Sequence, residues 1–374
     1  MTTPDLRPHR TSRPALALVV AGAAFLAALP GFVESPYALH VMILLFLAVT
    51  QGEAWNVLGG YTGQYSVGHA AWFGIGAYGT LVLLQSAKIP PWWGVWIAVV
   101  AAVAMAVAVG SITFRLRGPY FVLASIAVAE IFRLVALNWR EATNGAEGIL
   151  TTDLPALQIG SWTVTNFTSK VPYYYTGLAL ALATIAANWA VQHSKLGYFF
   201  QAIREDQDAA HSLGIPLTLY KNLALAISAF FTAFSGAFYA LYVGFIDPGT
   251  VFTTEVSVQF VLIAIIGGIG TIGGPVVGAV VLVALSEALR ANLISEALVR
   301  VGLVGETSKV GLFLKENLAH AHALIYGILV VIVILFMPDG VLGWARQLVA
   351  RRRADPGDGP ALPATGTPSA KGIA

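Results

Sequence analysis

Residues 92–114 read WWGVWIAVVAAVAMAVAVGSITF, a run of apolar and small residues without one charged side chain. A helix needs about 20 mostly apolar residues to cross a bilayer core, so this run is long enough. The whole chain shares the bias, because 57% of its 374 residues are hydrophobic and only 11% are charged. A soluble domain has about 25% charged residues and must keep most of its surface polar. The sequence therefore predicts an integral membrane protein.

Other apolar stretches lie on both sides of this run. They are Ala15–Val33, Tyr37–Leu58, Tyr61–Leu84, Tyr120–Asn138, Pro172–Val191, Leu219–Phe245, Ser257–Leu289 and Ala323–Met337. The stretch Ser257–Leu289 is broken by glycines from Gly267 to Pro275, and it crosses twice if it turns there. We expect an all-α, polytopic membrane helix bundle of about ten crossings, with glycine-broken helices. A re-entrant pair at Ser257–Leu289 is the alternative.

Basic residues predict the orientation, since Lys and Arg concentrate on the cytoplasmic side. They cluster before the first run, at 115–117, within 195–221 and after the last run. Placing these clusters inside gives a cytoplasmic tail at 1–14, a transmembrane domain at 15–344 and a disordered cytoplasmic tail at 345–374. Residues 291–321 then lie outside. The first run is longer than a usual signal-peptide core, so we expect an uncleaved helix.

Several classes of function need residues or motifs that this sequence does not contain. There is no cysteine, which excludes disulfides and thiolate chemistry, and the seven histidines form no HEXXH motif, so we expect no metal site. A net charge of +2 gives little support to nucleic-acid binding. The chain has no phosphate-binding loop and no Gly-x-Ser-x-Gly elbow. We expect no catalytic site and no cofactor, and active transport would need an ion gradient or a separate ATPase.

A polar, mildly amphipathic segment, QAIREDQDAAHSLGIP, occupies residues 201–216 on the predicted cytoplasmic side. One helix could present a small apolar face made of Ala202, Ile203, Ala209, Ala210 and Leu213. Its polar side would contain Arg204, Glu205, Asp206 and Asp208. A docking helix that inserts into a groove on a partner and an ordinary solvated connector explain this pattern equally well.

Polar groups and helix-breaking glycines inside the spans are candidates for a translocation path. They are Glu53, Gln64, Ser66, His69, Glu130, Arg133, Gly267, Gly268 and Gly270. Charged residues within a bilayer are costly, and the ends of broken helices can hold ionic substrate groups. Glu130 and Arg133 share a helix face, where a purely structural ion pair is at least as plausible. Close packing and a tight turn are the corresponding structural explanations for the glycines.

Several motifs occur together in a familiar order. They lie at 60–78, 116–133, 202–215, 227–236, 267–275 and 338–343. From about Tyr37 to Gly343 the sequence resembles the permeases of branched-chain amino-acid ABC importers, specifically the LivM-like subunit. The resemblance implies that the loop at about 192–221 meets an ATPase. It assigns this coupling to Ala202, Arg204, Glu205, Asp208, Ala209, Ala210 and Gly214, with Asp208 standing where such loops often have Glu.

The resemblance also implies an assembly in the bacterial inner membrane. It would contain a second, LivH-like permease, two ATPase subunits that hold ATP and Mg²⁺, and a periplasmic binding protein. The segment Thr143–Gly148 departs from the family pattern by an added acid, and 291–321 is longer than expected. Because related permeases carry urea and short amides, these departures leave the solute open.

Two other classes of function stay open at this point. Glu53 and the Glu130–Arg133 pair could serve a self-sufficient, ion-coupled secondary transporter. A membrane enzyme has no visible catalytic constellation to support it.

Overall fold

The computed structural model describes residues 13–33, 35–151, 157–159, 162–165, 169–290, 327–328, 331 and 340–344. This part of the chain is mostly helical. Its helices are α1 (Arg13–Ala28), α2 (Pro36–Thr62), α3 (Ala70–Ser86), α4 (Pro91–Thr113), α5 (Pro119–Asn138), α6 (Arg140–Thr143), α7 (Lys170–Gln192), α8 (Lys195–Glu205), α9 (Gln207–Ser212), α10 (Leu217–Val243), α11 (Pro248–Val251), α12 (Thr254–Gly267) and α13 (Gly274–Arg290). Short 3-10 turns occupy Leu29–Gly31 and Gly145–Glu147.

The helix boundaries follow from local chemistry. Proline stands in the first turn of α2, α4, α5 and α11, where its missing N–H costs nothing. The hydroxyl of Ser35 also accepts a hydrogen bond from Ala38 N at the start of α2. Left-handed glycines follow the last residues of α2 and α10, namely Gly63 and Gly244.

Six helical stretches in the described residues are long and apolar enough to cross a membrane: α2, α4, α5, α7, α10 and Pro248–Gly267, which comprises α11 and α12. The expected bundle of membrane helices is therefore present, while ten crossings remain a prediction. α3 has 17 residues and α13 has 17, which is short for a span. The predicted last span, Ala323–Met337, lies largely outside the described residues. Residues 291–321, the tail 345–374 and nearly all of the tail 1–14 also lie outside them.

The predicted helix at Tyr61–Leu84 is wrong in its first third. α2 continues through Thr62, residues 63–69 are not helical, and α3 begins at Ala70. The cause is Gly63, whose φ of +68° ends α2 in the left-handed region. Most of the irregular segment that follows is buried, although Tyr65 is exposed, so its buried backbone groups need partners inside the protein.

α2 is the central helix of the described bundle, since 78% of its apolar window is buried, against 22% for α5. It packs against α7, α10, α12 and α13. One core cluster joins Phe46 and Leu47 of α2 to Tyr174 of α7 and Phe238 of α10. α2 can therefore pass a displacement at one of its ends to several neighbours.

α3 and α10 cross at very short range. A Cβ atom added to Gly76 would collide with the backbone carbonyl of Ala233, and one added to Gly236 would collide with that of Phe73. Small residues allow such close approach between membrane helices.

Two short antiparallel ribbons correct the all-α expectation. β1 (Ile149–Leu150) pairs with β4 (Phe245–Ile246), with Ile149 opposite Ile246. β2 (Leu157–Ile159) pairs with β3 (Trp162–Thr165). The first ribbon fastens the connection after α5 to the end of α10, which lies far away in sequence.

Candidate functional site

The segment 194–216 folds as two short helices instead of the single amphipathic helix that its pattern predicts. α8 begins after Ser194, whose hydroxyl accepts from Leu196 N at 3.2 Å. At Asp206 the backbone is extended, and α9 starts there. Gly214, with φ of +85°, ends α9 before Pro216. The predicted docking segment is thus a helix–turn–helix at one end of the bundle.

The apolar face of this segment also differs from the predicted one. Ile203 and Ala210 are buried as expected, and Ala202 is half-buried. Ala209 is exposed, and Leu213 is 81% exposed. The extended backbone at Asp206 separates the two helices, so the five residues do not share one helix face. Phe200 of α8 packs into a cluster with residues of α2, α7 and α10.

Asp206 is the N-cap of α9. Its Oδ1 accepts hydrogen bonds from Asp208 N at 2.8 Å and from Ala209 N at 3.0 Å. These backbone N–H groups hold the pKa of the exposed Asp206 carboxyl below its usual range, because they favour the ionised form. The resulting cap fixes the angle between α8 and α9.

Two contacts fasten α9 to the bundle. Arg117, in the turn between α4 and α5, donates to the Asp208 carboxylate at 2.8 Å, and both side chains are exposed. Lys221 of α10 is almost completely buried and donates to Gln207 Oε1 at 2.7 Å. Asp208, predicted to meet a partner, therefore already holds an intramolecular ion pair in this structure.

Arg204 points back into the bundle instead of away from it. Its Nη1 donates to the carbonyl oxygen of Gly60 at 2.8 Å. Gly60 lies in the last turn of α2, where helix carbonyls lack partners within the helix and attract cations. Arg204 nevertheless remains exposed, as does the neighbouring Glu205. Of the predicted coupling residues, Arg204 thus has a direct contact with a membrane helix.

The glycine break lies where the sequence places it. α12 ends at Gly267 and α13 starts at Gly274, and Gly268 and Gly270 both have positive φ. The hydroxyl of Thr271 donates to Gly268 O at 2.9 Å and accepts from Gly274 N at 3.1 Å. The break is a closed turn, and the two helices that it joins pack against each other.

The polar residues of the irregular segment 63–69 are buried and hydrogen-bonded. His69 contacts the hydroxyl of Ser66 through Nδ1 at 3.1 Å and that of Ser228 through Nε2 at 2.8 Å. Gln64 donates to Thr62 O at 3.1 Å. Trp55 Nε1 donates to Ser66 O at 2.7 Å. These contacts satisfy a non-helical stretch of chain in the bundle interior.

Glu53 is completely buried in α2 and faces α7. Asn188 Nδ2 donates to the Glu53 carboxylate oxygen Oε2, and also to the Glu53 backbone carbonyl at 2.9 Å. Within the described part of the chain, Glu53 Oε1 and Asn188 Oδ1 have no hydrogen-bond partner. The charge-bearing group of α2 therefore contacts an amide and not a cation.

Glu130 and Arg133 form the ion pair that their spacing predicts. Arg133 donates through Nε at 2.8 Å and through Nη2 at 2.6 Å to the two carboxylate oxygens. The side chains are 45% and 28% exposed, on the least buried of the six candidate spans. A charged pair on this outer face needs protein or water against it within a bilayer.

A half-open cavity of about 730 Å³ lies between α2, α12 and α13. Its walls are largely aliphatic, with Leu47, Leu262 and Ile263 among them, and Gln51, Glu255 and Gln259 add polar groups. None of the predicted path residues is among the described residues that line this cavity. The sequence analysis missed it because its lining comes from segments about 200 residues apart.

Comparisons with known proteins agree with this architecture. A family described as "Branched-chain amino acid transport system / permease component" matches residues 35–334. The chain belongs to this permease family. It is therefore a membrane protein of a transport family, which agrees with its six apolar helices.

The chain is also similar to individual permeases. It is 29% identical over 277 residues to the "High-affinity branched-chain amino acid transport system permease protein LivM" of Escherichia coli K12, covering 69% of this chain and 65% of the relative. The LivM protein of Salmonella typhimurium is 28% identical over the same share. The E. coli K12 LivH permease is 24% identical over 326 residues, covering 82% of this chain and 96% of LivH. The chain thus spans about 65% of the LivM relatives. No solved structure gives a significant match.

These relatives are transport permeases and not enzymes. The α8–α9 segment and the glycine break contain two of the motifs on which the resemblance to permeases rests, at 202–215 and 267–275. Sequence reasoning missed three side chains that hold these features, namely Asn56, Arg117 and Lys221. Asn56 had one local signal, since it is a polar residue near the end of an apolar span.

Proposed function

We propose that this chain is the membrane-spanning permease subunit of an ATP-driven importer of branched-chain or other hydrophobic amino acids. It would work in the bacterial inner membrane with both termini in the cytoplasm. A second homologous permease, two ATPase subunits and a periplasmic binding protein would complete the transporter. ATP and Mg²⁺ would bind the ATPase subunits.

The observation that carries this proposal is the α8–α9 segment. It projects from one end of the bundle as a pre-formed pair of helices, and it bears exposed polar and apolar side chains, including Leu213. Such a surface can insert into a groove on a soluble partner. The segment is also fastened to α2, α4–α5 and α10 by Arg204, Asp208 and Gln207. Movement of a docked partner would therefore reach several membrane helices.

The cavity supports an aliphatic solute over urea or a short amide. Its leucine and isoleucine walls match a branched hydrocarbon side chain, whose burial is favourable. A small polar amide would leave most of that wall without complementary groups. Glu255 at the cavity offers a carboxylate to an ammonium group.

Uptake by proteoliposomes tests the proposal. The chain would be reconstituted with its neighbouring permease, the ATPases and the cognate binding protein, and offered labelled leucine, urea or acetamide. We expect ATP-dependent leucine uptake that stops when an ATPase subunit is omitted. Uptake by this chain alone under an ion gradient would instead identify a secondary transporter and would overturn the proposal.

A further inference from the structure

The side chain of Asn56 bridges α2 and the glycine break. It is completely buried, and both the oxygen and the nitrogen of its amide form hydrogen bonds. Oδ1 accepts a hydrogen bond from Gly270 N at 2.8 Å, and Nδ2 donates to Thr271 O at 3.0 Å. Two bonds from one amide fix both the position and the orientation of the turn between α12 and α13.

Arg204 reaches the same place from the opposite side. Its guanidinium binds Gly60 O, and Gly60 lies one helical turn after Asn56 on α2. A Cβ atom added to Gly60 would lie 2.8 Å from Gly270 N, and one added to Gly270 would overlap the Arg204 guanidinium. The end of α2, the glycine break and the α8 arginine are therefore in direct van der Waals contact.

We propose that Arg204 and Asn56 form a mechanical link that transmits movement of the α8–α9 segment, through the last turns of α2, to the break between α12 and α13. Both are positioning residues, because neither needs to touch the solute. The link rests on the proposed function, since it requires a partner that moves α8 and α9. Through this link, movement of the ATPases would displace the glycine break.

The break is suited to be the moving element. Positive φ values at Gly268 and Gly270 place two residues in conformations that glycine can leave and re-enter at little cost. Side chains from both helices that flank the break, including Ile263 and Leu282, line the cavity. A change at the turn would therefore alter the cavity walls, which is what a transport cycle requires.

Two variants and one matched control test the link in the fully assembled transporter. Asn56→Leu removes both bonds to the break, and Arg204→Gln removes the guanidinium that binds Gly60. Lys88→Gln is the control, because it removes an exposed positive charge between α3 and α4, outside the α8–α9 segment. Because the chain has no cysteine, introduced cysteines can be spin-labelled without background from this subunit. Distances would be measured from Val100→Cys on α4 to Leu213→Cys beside α9 and to Val280→Cys on α13.

We expect ATP to change both distances in the otherwise unaltered protein. In Asn56→Leu and in Arg204→Gln, the 100–213 distance should still respond to ATP, while the response of the 100–280 distance should be lost. Solute transported per ATP hydrolysed should fall about tenfold in each variant, within the usual range of coupling energies. Lys88→Gln should behave like the parent protein.

The double variant gives a second readout that simple misfolding would not produce. If both residues belong to one link, Asn56→Leu combined with Arg204→Gln should be no worse than the more severe single variant. A multiplicative loss, or an intact 100–280 response in both single variants, would overturn the link. Absence of any ATP response in the parent protein would instead count against the proposed function. If Asn56→Leu does not assemble, Arg204→Gln and the milder Arg204→Lys provide the comparison.

Discussion

Neighbouring charged residues of the α8–α9 segment have different roles. Arg204 is directed inward to the end of α2, Asp206 caps α9, and Asp208 pairs with Arg117 at the surface. Composition alone would treat all three as a solvated polar face. Their partners show instead that each fixes a different part of the segment, so that charge reversal at Arg204 and at Asp208 should impair coupling by different routes.

The Asp206 cap predicts a pH response. Its folded-state pKa is depressed, so the carboxylate stabilises the α8–α9 junction above about pH 4, the usual Asp range. That contribution is lost as the pH falls through the folded-state pKa. A spin label at Leu213→Cys should become more mobile on acidification. The same label should show a smaller change in Asp206→Asn, because asparagine caps helices without titrating. Equal transitions in both proteins would rule out the cap as the cause.

The Glu130–Arg133 pair predicts strong coupling between two variants. Each single change to leucine leaves one charge without its counter-ion within a span, and the double change leaves none. Glu130→Leu combined with Arg133→Leu should therefore be milder than either single variant, measured as solute uptake at equal protein level in the membrane. Independent, additive losses would instead indicate separate roles along the translocation path.

At the scale of whole helices, the close crossing of α3 and α10 leaves no room for a side chain at Gly76 or Gly236. Gly236→Ala should destabilise the bundle by about 1–3 kcal/mol, because the added methyl group meets the carbonyl of Phe73. Gly94→Ala is the matched control, since its nearest atom would lie 3.6 Å away. There the better helix propensity of alanine should leave thermal stability unchanged or raised. Thermal unfolding in detergent would measure both, and equal melting temperatures would contradict the close crossing.

Local sequence patterns predicted some helices and helix breaks closely and missed others. The uncharged run 92–114 became α4, and the glycines at 267–274 ended α12 and started α13, because length and helix breakers act locally. The break at 63–69 was missed, since its polar groups are satisfied by distant residues such as Ser228. The contacts of Asn56 with Thr271 and of Arg204 with Gly60 join residues 215 and 144 positions apart. The periodicity of the sequence does not predict contacts between residues so far apart.

At the scale of the whole molecule, α2 connects the parts that matter for transport. It lines the cavity, contacts the glycine break and receives Arg204 from α8. The Glu53–Asn188 contact joins it to α7 as well. Under the proposed function, force applied to the α8–α9 segment would enter the bundle at the end of its central helix.

The most direct test of this account is a cross-linking measurement on the assembled transporter. A cysteine at Leu213, in the exposed part of the α8–α9 segment, should cross-link to an ATPase subunit, and the yield should change with ATP. A cysteine at Phe245, which is 42% exposed in β4 on the predicted outer side, is the control and should give no such product. An ATPase cross-link from Phe245→Cys with none from Leu213→Cys would contradict both the predicted orientation and the coupling role of α8 and α9.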